Sequence, residues 1–162
     1  MTTGKRNRLK GKRMEYKLRD TLREYGYEAH RVPSSGAAHG FPGDVSFKDA
    51  KNPMRLAELK SRKKGFEKVY EFLYSFVNRG IIREHSLDRI KIEYNMKYGG
   101  QVTIALNPRV LFEDSATVMA NETEDMTRKF LILERWVEKS DMLVLHTDRH
   151  PFLYLRYKDE EP

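Results

Sequence analysis

The chain has 162 residues, the length of one domain, and carries 31 Lys and Arg against 24 Asp and Glu, a net charge of +7. It has no cysteine, which excludes disulfides, Cys-ligated zinc and a cysteine nucleophile. No apolar run approaches the ~20 residues of a membrane span. We therefore expect a single folded domain over residues 1–162, cytoplasmic and without a membrane partner, that binds an anionic partner, with nucleic acid the first candidate.

The positive charge is concentrated at the N-terminus, where residues 1–35 hold ten basic and four acidic side chains. The stretch Thr2–Lys10 has four cationic residues and only Leu9 as an apolar one, so residues 1–11 are predicted to be a flexible basic arm. Apolar residues then recur at helical spacing over about Lys12–Tyr25, and Gly26 ends the predicted helix. The cations predicted to contact DNA phosphates here are Lys5, Arg6, Arg8, Lys10, Lys12 and Arg13.

Three strands are predicted next, over about Glu28–Pro33, Asp44–Lys48 and Met54–Ser61. A glycine-rich loop over Ser34–Gly43 separates the first two, and the polar stretch Asp49–Pro53 turns the chain before the third.

Helices and hairpins alternate in the rest of the chain. The predicted elements are a helix over Phe66–Val77, strands over Ile90–Tyr98 and Val102–Leu106, a helix over residues 122–139, and strands over Met142–His146 and Phe152–Tyr157. Gly99–Gly100 predicts a two-residue hairpin turn. Asn121 with Glu124 resembles a capping box.

Chemistry is concentrated around Asp44, Glu58 and Lys60. Glu58 and Lys60 are two apart on a predicted strand and share a face, and a hairpin would bring Asp44 beside Glu58. Two unpaired carboxylates repel each other, and a bridging divalent cation removes the repulsion. Oxygen ligands of this kind suit Mg²⁺ or Mn²⁺, and Lys60 would add positive charge for a phosphate.

The spacing of these residues is weakly specific by itself. Glu15 and Lys17 have the same spacing on a predicted helix, where they do not share a face. Taken alone, the spacing favours Asp44 as a turn or strand-start residue and Glu58 with Lys60 as a solvated strand face. The following run of Arg62, Lys63 and Lys64 is either a solubilising surface or a set of phosphate contacts.

The order of the motifs is more specific. Arg31–Gly36, Gly43–Val45 and Glu58–Lys63, preceded by Lys10–Gly11 and Glu15, resemble over roughly residues 10–63 the archaeal-type Holliday junction resolvases of the PD-(D/E)xK nuclease superfamily. The resemblance implies an α/β fold with a mixed, mainly antiparallel sheet flanked by helices, in the order helix, three strands, helix, strand. A helix and a hairpin within residues 64–121 would then be an insertion, in a viral or cellular member of the family.

The resemblance also implies a role for individual residues. Asp44 and Glu58 would be metal ligands, Lys60 the catalytic lysine, and Glu15 a third acid acting through a water. Ser35 would lie near the scissile phosphate, and Arg31 would be the basic residue ahead of that loop. Glu15, Ser35 and Arg31 each have an equal alternative as an ordinary helix, loop or strand residue.

Two departures from the family pattern stand out. Gly43 occupies the position of the family's proline, and the only glutamine, Gln101, lies in the predicted insertion and not at the start of a later helix. Thr127 and Lys129 are the candidates for the missing glutamine's role, which concerns substrate choice more than metal chemistry.

The implied function is Mg²⁺-dependent hydrolysis of DNA phosphodiesters, with Mn²⁺ as a substitute, by a homodimer that cuts a four-way junction. The alternatives are another PD-(D/E)xK endonuclease acting on branched or duplex DNA, and a basic nucleic-acid-binding protein without catalysis. His146 and His150 lie at a predicted turn, so they are expected to be a satisfied or exposed pair, and Trp136 is expected to pack.

Overall fold

One eight-stranded sheet organises the chain in the computed structural model, which describes residues 3–33, 43–121 and 123–158. The helices are α1 (Thr3–Glu24), α2 (Glu67–Asn78), α3 (Pro108–Phe112) and α4 (Glu124–Glu134), with a 3₁₀ helix over Glu84–Arg89. The strands are β1 (Glu28–Arg31), β2 (Val45–Asp49), β3 (Asn52–Ser61), β4 (Ile90–Asn95), β5 (Gln101–Ala105), β6 (Ala116–Ala120), β7 (Met142–His146) and β8 (Leu153–Lys158). Their order across the sheet is β1-β2-β3-β7-β8-β5-β4-β6.

The sheet is mixed and mostly antiparallel, as the resemblance implies. β3 pairs with β7 and β4 pairs with β6 in parallel, and the neighbouring pairs elsewhere are antiparallel. With flanking helices, this architecture is consistent with a restriction-endonuclease-like core.

Helices cover both faces of the sheet, and β7 shows this most clearly. Its residues are all buried because alternate side chains enter two different cores. Met142 and Val144 pack with α1 and α3, whereas Leu143 and Leu145 pack with α2 and α4.

The N-terminal residues correct the prediction of a flexible arm. From Thr3 onward the chain is helical, and α1 continues without a break to Glu24. Lys and Arg are good helix formers, and extending an existing helix adds one hydrogen bond for each residue fixed. Without an apolar stripe this segment cannot pack on the sheet, but it can still be helical. No helix within the described residues is both long and apolar enough to cross a membrane.

The β4–β5 hairpin is confirmed, but its turn is longer than the two residues predicted. The pairing ends at Asn95 and Gln101, and the Met96 N–H then donates to the Gly100 carbonyl at 3.1 Å. Gly99 and Gly100 both have positive φ, 98° and 86°, which explains why glycines occupy the turn.

The predicted capping box is wrong. Thr123 precedes the first residue of α4, and its side chain makes no capping hydrogen bond. Asn121 instead accepts a hydrogen bond from Asn95, and Glu124 accepts one from Lys97, so both side chains hold the β4–β5 hairpin. The predicted helix also ends five residues early, at Glu134.

Residues 64–121 extend the same sheet, because β5 pairs directly with β8. Within this segment, α3 and β6 were not predicted. α3 begins with Pro108 after Asn107, whose side chain accepts from the Arg109 N–H at 2.9 Å. That residues 64–121 are an insertion stays a prediction.

Candidate active site

Asp44 lies where the pairing of β2 with β3 ends. β2 pairs Val45 with Ala57, and continuing this register by one residue places Asp44 opposite Glu58, as the hairpin predicts. The Asp44 N–H donates to the Ala57 carbonyl at 2.7 Å, and the Leu59 N–H donates to Asp44 Oδ2 at 2.8 Å. The carboxylate is therefore fixed against the backbone of β3, between Glu58 and Lys60.

The backbone conformation of residue 43 explains why glycine replaces the family's proline there. Its φ is +111°, and a Cβ at this position would lie 3.1 Å from the Ala57 carbonyl oxygen and 3.2 Å from Leu56 Cβ. Proline fixes φ near −65°, so it cannot take this conformation. Glycine lets the chain approach β3 closely just before Asp44.

Glu58 and Lys60 share a face of β3 and contact each other, with Lys60 Nζ 3.6 Å from Glu58 Oε1. Lys60 also lies over the Trp136 ring, at 5.4 Å from its centroid, and Arg62 lies 5.2 Å from the same centroid. Trp136 packs edge-on against Phe66. Trp136 thus has a role beyond the packing expected of it, because it contacts two cations of the candidate site.

Glu15 reaches the site from α1 and is paired with Arg31, whose Nε donates to Glu15 Oε2 at 3.0 Å. Burial raises the pKa of Glu15, and the carboxylate of Asp44 raises it further, while the hydrogen bond from Arg31 acts in the opposite direction. Arg31 therefore serves the acidic cluster directly, and it was predicted only as a basic residue ahead of the loop.

Glu58 has the most perturbed carboxyl group in the cluster. Burial, followed by the charge of Asp44, raises the pKa of Glu58 to about 7, although Lys60 opposes the shift. The site therefore brings three carboxyl groups together, and the pKa values of two of them are raised. A nearby cation would relieve the repulsion between their charges.

The donor set fits a hard divalent cation. Mg²⁺ is commonly bound by one or two carboxylates and completes its octahedron with waters. Within the described residues, no group of three acidic or histidine side chains is arranged to hold a metal ion, and Glu15 and Glu58 pair with Arg31 and Lys60. Asp44 and Glu58 thus suit Mg²⁺ or Mn²⁺ as a pair, with Glu15 close to Asp44.

A cavity of about 620 Å³ opens beside these acids, between α1 and β3. Glu15 and Asp44 line its wall, and four cations surround them: Lys10, Arg62, Lys63 and Lys64. Four of the predicted DNA contacts therefore meet the acidic cluster. Glu58 and Lys60 lie next to this cavity on the opposite face of β3, since Leu59 and Ser61 provide that strand's lining.

The remaining predicted residues have different outcomes. Lys12 and Arg13 are exposed on α1. Lys5, Arg6 and Arg8 belong to α1, but the structure does not describe their side chains. Ser35 lies outside the described residues.

Two further candidates are resolved by their neighbours. Thr127 is buried and hydrogen bonds to Tyr94 at 2.8 Å, so it cannot replace the family's glutamine on DNA. His146 is buried and its Nδ1 lies 2.8 Å from Ser61 Oγ, whereas His150 stacks on Tyr70 at 4.3 Å. The two histidines are thus satisfied by different partners, as expected.

Comparisons with known proteins agree with the chemistry of this site. Residues 6–73 match the family described as "Phage putative PDDEXK endonuclease", and this range includes Glu15, Asp44, Glu58 and Lys60. Protein D14 of Escherichia phage T5 is 56% identical over 43 residues, which are 24% of this chain and 27% of that protein. No solved structure matches. The family match supports a place for the chain in the PD-(D/E)xK nuclease superfamily.

Proposed function

We propose that the protein is a divalent-metal-dependent DNA endonuclease that hydrolyses phosphodiester bonds at the Asp44–Glu58–Lys60 cluster. The observation that supports this proposal most strongly is the position of the acidic cluster beside a cavity that is lined by Lys10, Arg62, Lys63 and Lys64. Superfamily members generally use divalent metals. A site for DNA cleavage needs carboxylates for the metal and cations for the phosphate backbone, and both are present within a few residues of each other.

Each residue has a part in this proposal. Asp44 and Glu58 would hold the cation, which when bound supplies an activated water and neutralises developing negative charge. Lys60 would stabilise the charge that develops on the phosphate as the water oxygen bonds to phosphorus and the bridging P–O bond breaks. The ion pair with Arg31 keeps Glu15 in the cluster, and Arg62 to Lys64 would bind flanking phosphates.

We further propose that the preferred substrate is a four-way DNA junction and that the active form is a homodimer. The support is the sequence resemblance to the junction resolvases. A junction with two-fold symmetry presents two equivalent strands, and a two-fold dimer presents two active sites.

The test is incubation of the purified protein with a labelled four-way junction and with a linear duplex of the same sequence, each with Mg²⁺ and with EDTA. We expect cleavage of the junction in Mg²⁺ only, and a dimer mass in sedimentation. Equal cutting of both substrates would overturn the junction preference but not the nuclease. Binding without cutting in any metal would favour the non-catalytic alternative.

A further inference from the structure

A second, smaller cavity of about 200 Å³ lies between α1 and the β7–β8 turn. Its lining combines apolar walls with side chains that donate hydrogen bonds. The donors are Lys17, Thr21, Tyr25, His146, His150 and Tyr154. Among the residues that the structure describes, no carboxylate lines this cavity, in contrast to the cavity at the acidic cluster. The chemistry therefore favours an anion, and the volume is below the roughly 300–1,000 Å³ of sites for whole organic ligands.

Tyr154 lines this cavity and brings a hydroxyl group to it. Its side chain is 1% exposed, yet its hydroxyl makes no hydrogen bond within the part of the chain that the structure describes. Among the described residues, every fully buried side-chain oxygen or nitrogen has a partner, so this hydroxyl must keep some exposure to the cavity, where a ligand oxygen can reach it. A ligand oxygen in the cavity would supply that partner.

The two cavities lie one after the other along one face of α1. Lys10 and Met14 line the first, and Lys17, Thr21 and Tyr25 line the second, at the spacing of three and four residues that forms a helical stripe. Lys10 and Lys17 are seven residues apart, which corresponds to roughly 10 Å along the helix axis at 1.5 Å per residue.

β3 and β7 connect the cavities on the other side. Ser61 lines the first cavity and His146 the second, and these two residues are register partners joined by the 2.8 Å contact between Oγ and Nδ1. A strand of nucleic acid that enters the first cavity can thus follow α1 to the second. The roughly 10 Å of α1 between Lys10 and Lys17 is similar to the rise of about three nucleotides along the B-form DNA axis, at 3.4 Å each.

We propose that the second cavity binds a backbone phosphate of the DNA strand that is cut at the acidic cluster, with Lys17 and the Tyr154 hydroxyl as its main contacts. This inference rests on the proposed function, because it extends the path of the same substrate. In this proposal α1 sets the distance between the cleavage site and a flanking phosphate.

The test measures binding of a fluorescently labelled four-way junction in EDTA, so that the DNA stays intact, over a series of salt concentrations. Lys17→Gln should reduce the slope of log K against log salt by about 0.9, the value for one phosphate contact on duplex DNA. Tyr154→Phe should weaken binding by about 2- to 10-fold, equivalent to one hydrogen bond, with the melting temperature unchanged because the hydroxyl has no protein partner.

Two matched variants serve as controls. Lys48→Gln removes a cation at the other end of β2 from Asp44, where it pairs with Glu28. Tyr98→Phe removes a hydroxyl from a ring that is 69% exposed. Both should keep the wild-type slope and affinity. If Lys17→Gln and Tyr154→Phe behave like these controls, the second cavity is not a phosphate site, although the nuclease proposal stands. If the wild-type protein does not bind DNA at all, both proposals fail.

Discussion

Lys60 lies between a carboxylate and an aromatic ring that together restrict its ammonium group. Its Nζ is 3.6 Å from Glu58 Oε1 and 5.4 Å from the centroid of Trp136. Because the side chain is only 35% exposed, both contacts are partly shielded from water. A flexible lysine would have to be ordered for each turnover, whereas this one is already held beside Glu58.

The contact with Trp136 leads to the first prediction. Trp136→Leu should lower the cleavage rate at saturating DNA by about 2- to 30-fold, since a partly buried cation–π contact contributes about 0.5–2 kcal/mol. Trp136→Phe, which retains a ring face, should recover most of the rate. Single-turnover cleavage of a labelled substrate measures both, and equal loss in the two variants would argue for packing alone.

Gly43 gives a second prediction, on stability. Gly43→Ala should destabilise the fold by about 2–4 kcal/mol, because the residue has positive φ and its new Cβ would meet the Ala57 carbonyl oxygen at 3.1 Å. Gly65→Ala is the matched control: its φ is +108°, but no atom lies within 4 Å of the added Cβ. Denaturant unfolding of the two variants separates the steric contact from the backbone strain, and equal losses would contradict the close approach.

Some site residues could be predicted from the sequence and others could not, for a physical reason. Asp44, Glu58 and Lys60 depend on strand alternation and on the register of a short hairpin, which are local properties. The contact of Trp136 with Lys60 joins residues 76 positions apart, and it depends on how α4 packs on the sheet. No local pattern marks that contact.

At the scale of elements, Arg109 connects α3 to the β1–β2 end of the sheet. It donates to Asp49 Oδ2 at 3.2 Å, to Glu113 Oε1 at 2.9 Å and to the Tyr25 carbonyl at 3.2 Å, and it lies over the Tyr27 ring. One side chain thus joins four segments of the chain.

Replacing this side chain tests its contribution to stability. Arg109→Met should lower the free energy of unfolding by about 1–2 kcal/mol, because the hydrogen bonds involve charged groups but the arginine is 30% exposed and partly screened. Arg128→Met is the control, since Arg128 is 63% exposed and pairs with exposed Asp125 in the same helix. It should change stability by less than about 0.5 kcal/mol; a similar loss in both variants would remove the special role of Arg109.

His146, at the end of β7, predicts a pH dependence of folding. Burial, followed by the charge of Lys17, lowers the pKa of His146, and Lys10 acts in the same direction against Asp148. The folded protein therefore favours neutral imidazole, and unfolding takes up a proton below the unfolded pKa of about 6.5. Stability should fall as the pH decreases through 6.5 and towards the folded pKa.

His146→Asn should flatten that part of the stability curve, whereas His85→Asn, at an exposed position, should not. Chemical denaturation at several pH values between about 5 and 8 provides the comparison. A slope that is unchanged in His146→Asn would show that another group dominates.

The helices and strands that depend on a local residue pattern could be predicted from the sequence, and the others could not. Residue alternation gave β2, β3, β4, β5, β7 and β8, and glycines marked most of their ends. The helical residues Thr3–Lys10 were missed because their helix has no apolar stripe of its own. β6 was missed because its side chains are mostly exposed, so nothing in its pattern distinguishes a short parallel edge strand from a loop.

For the whole molecule, the uneven charge of the sequence becomes a spatial arrangement. Cations from α1 and from residues 62–64, far apart in the chain, surround one cavity, and Glu15 and Asp44 lie in its wall. A basic rim holds a polyanion by releasing counterions, and an acidic centre retains the metal that the reaction needs. The sheet supports both, since β2 and β3 fix Asp44 and Glu58 while α1 lies against them through Leu18 and Leu22.

The central claim is that Asp44 is part of a metal-dependent nuclease site, and one measurement tests it most directly. Asp44→Asn keeps an oxygen to accept the Leu59 N–H but removes the charge, and it should be assayed on a labelled junction in Mg²⁺ beside the exposed control Asp114→Asn. We predict that Asp44→Asn loses cleavage by about 10²-fold or more while binding is retained, and that the control matches the wild type. Full cleavage by Asp44→Asn would contradict the account.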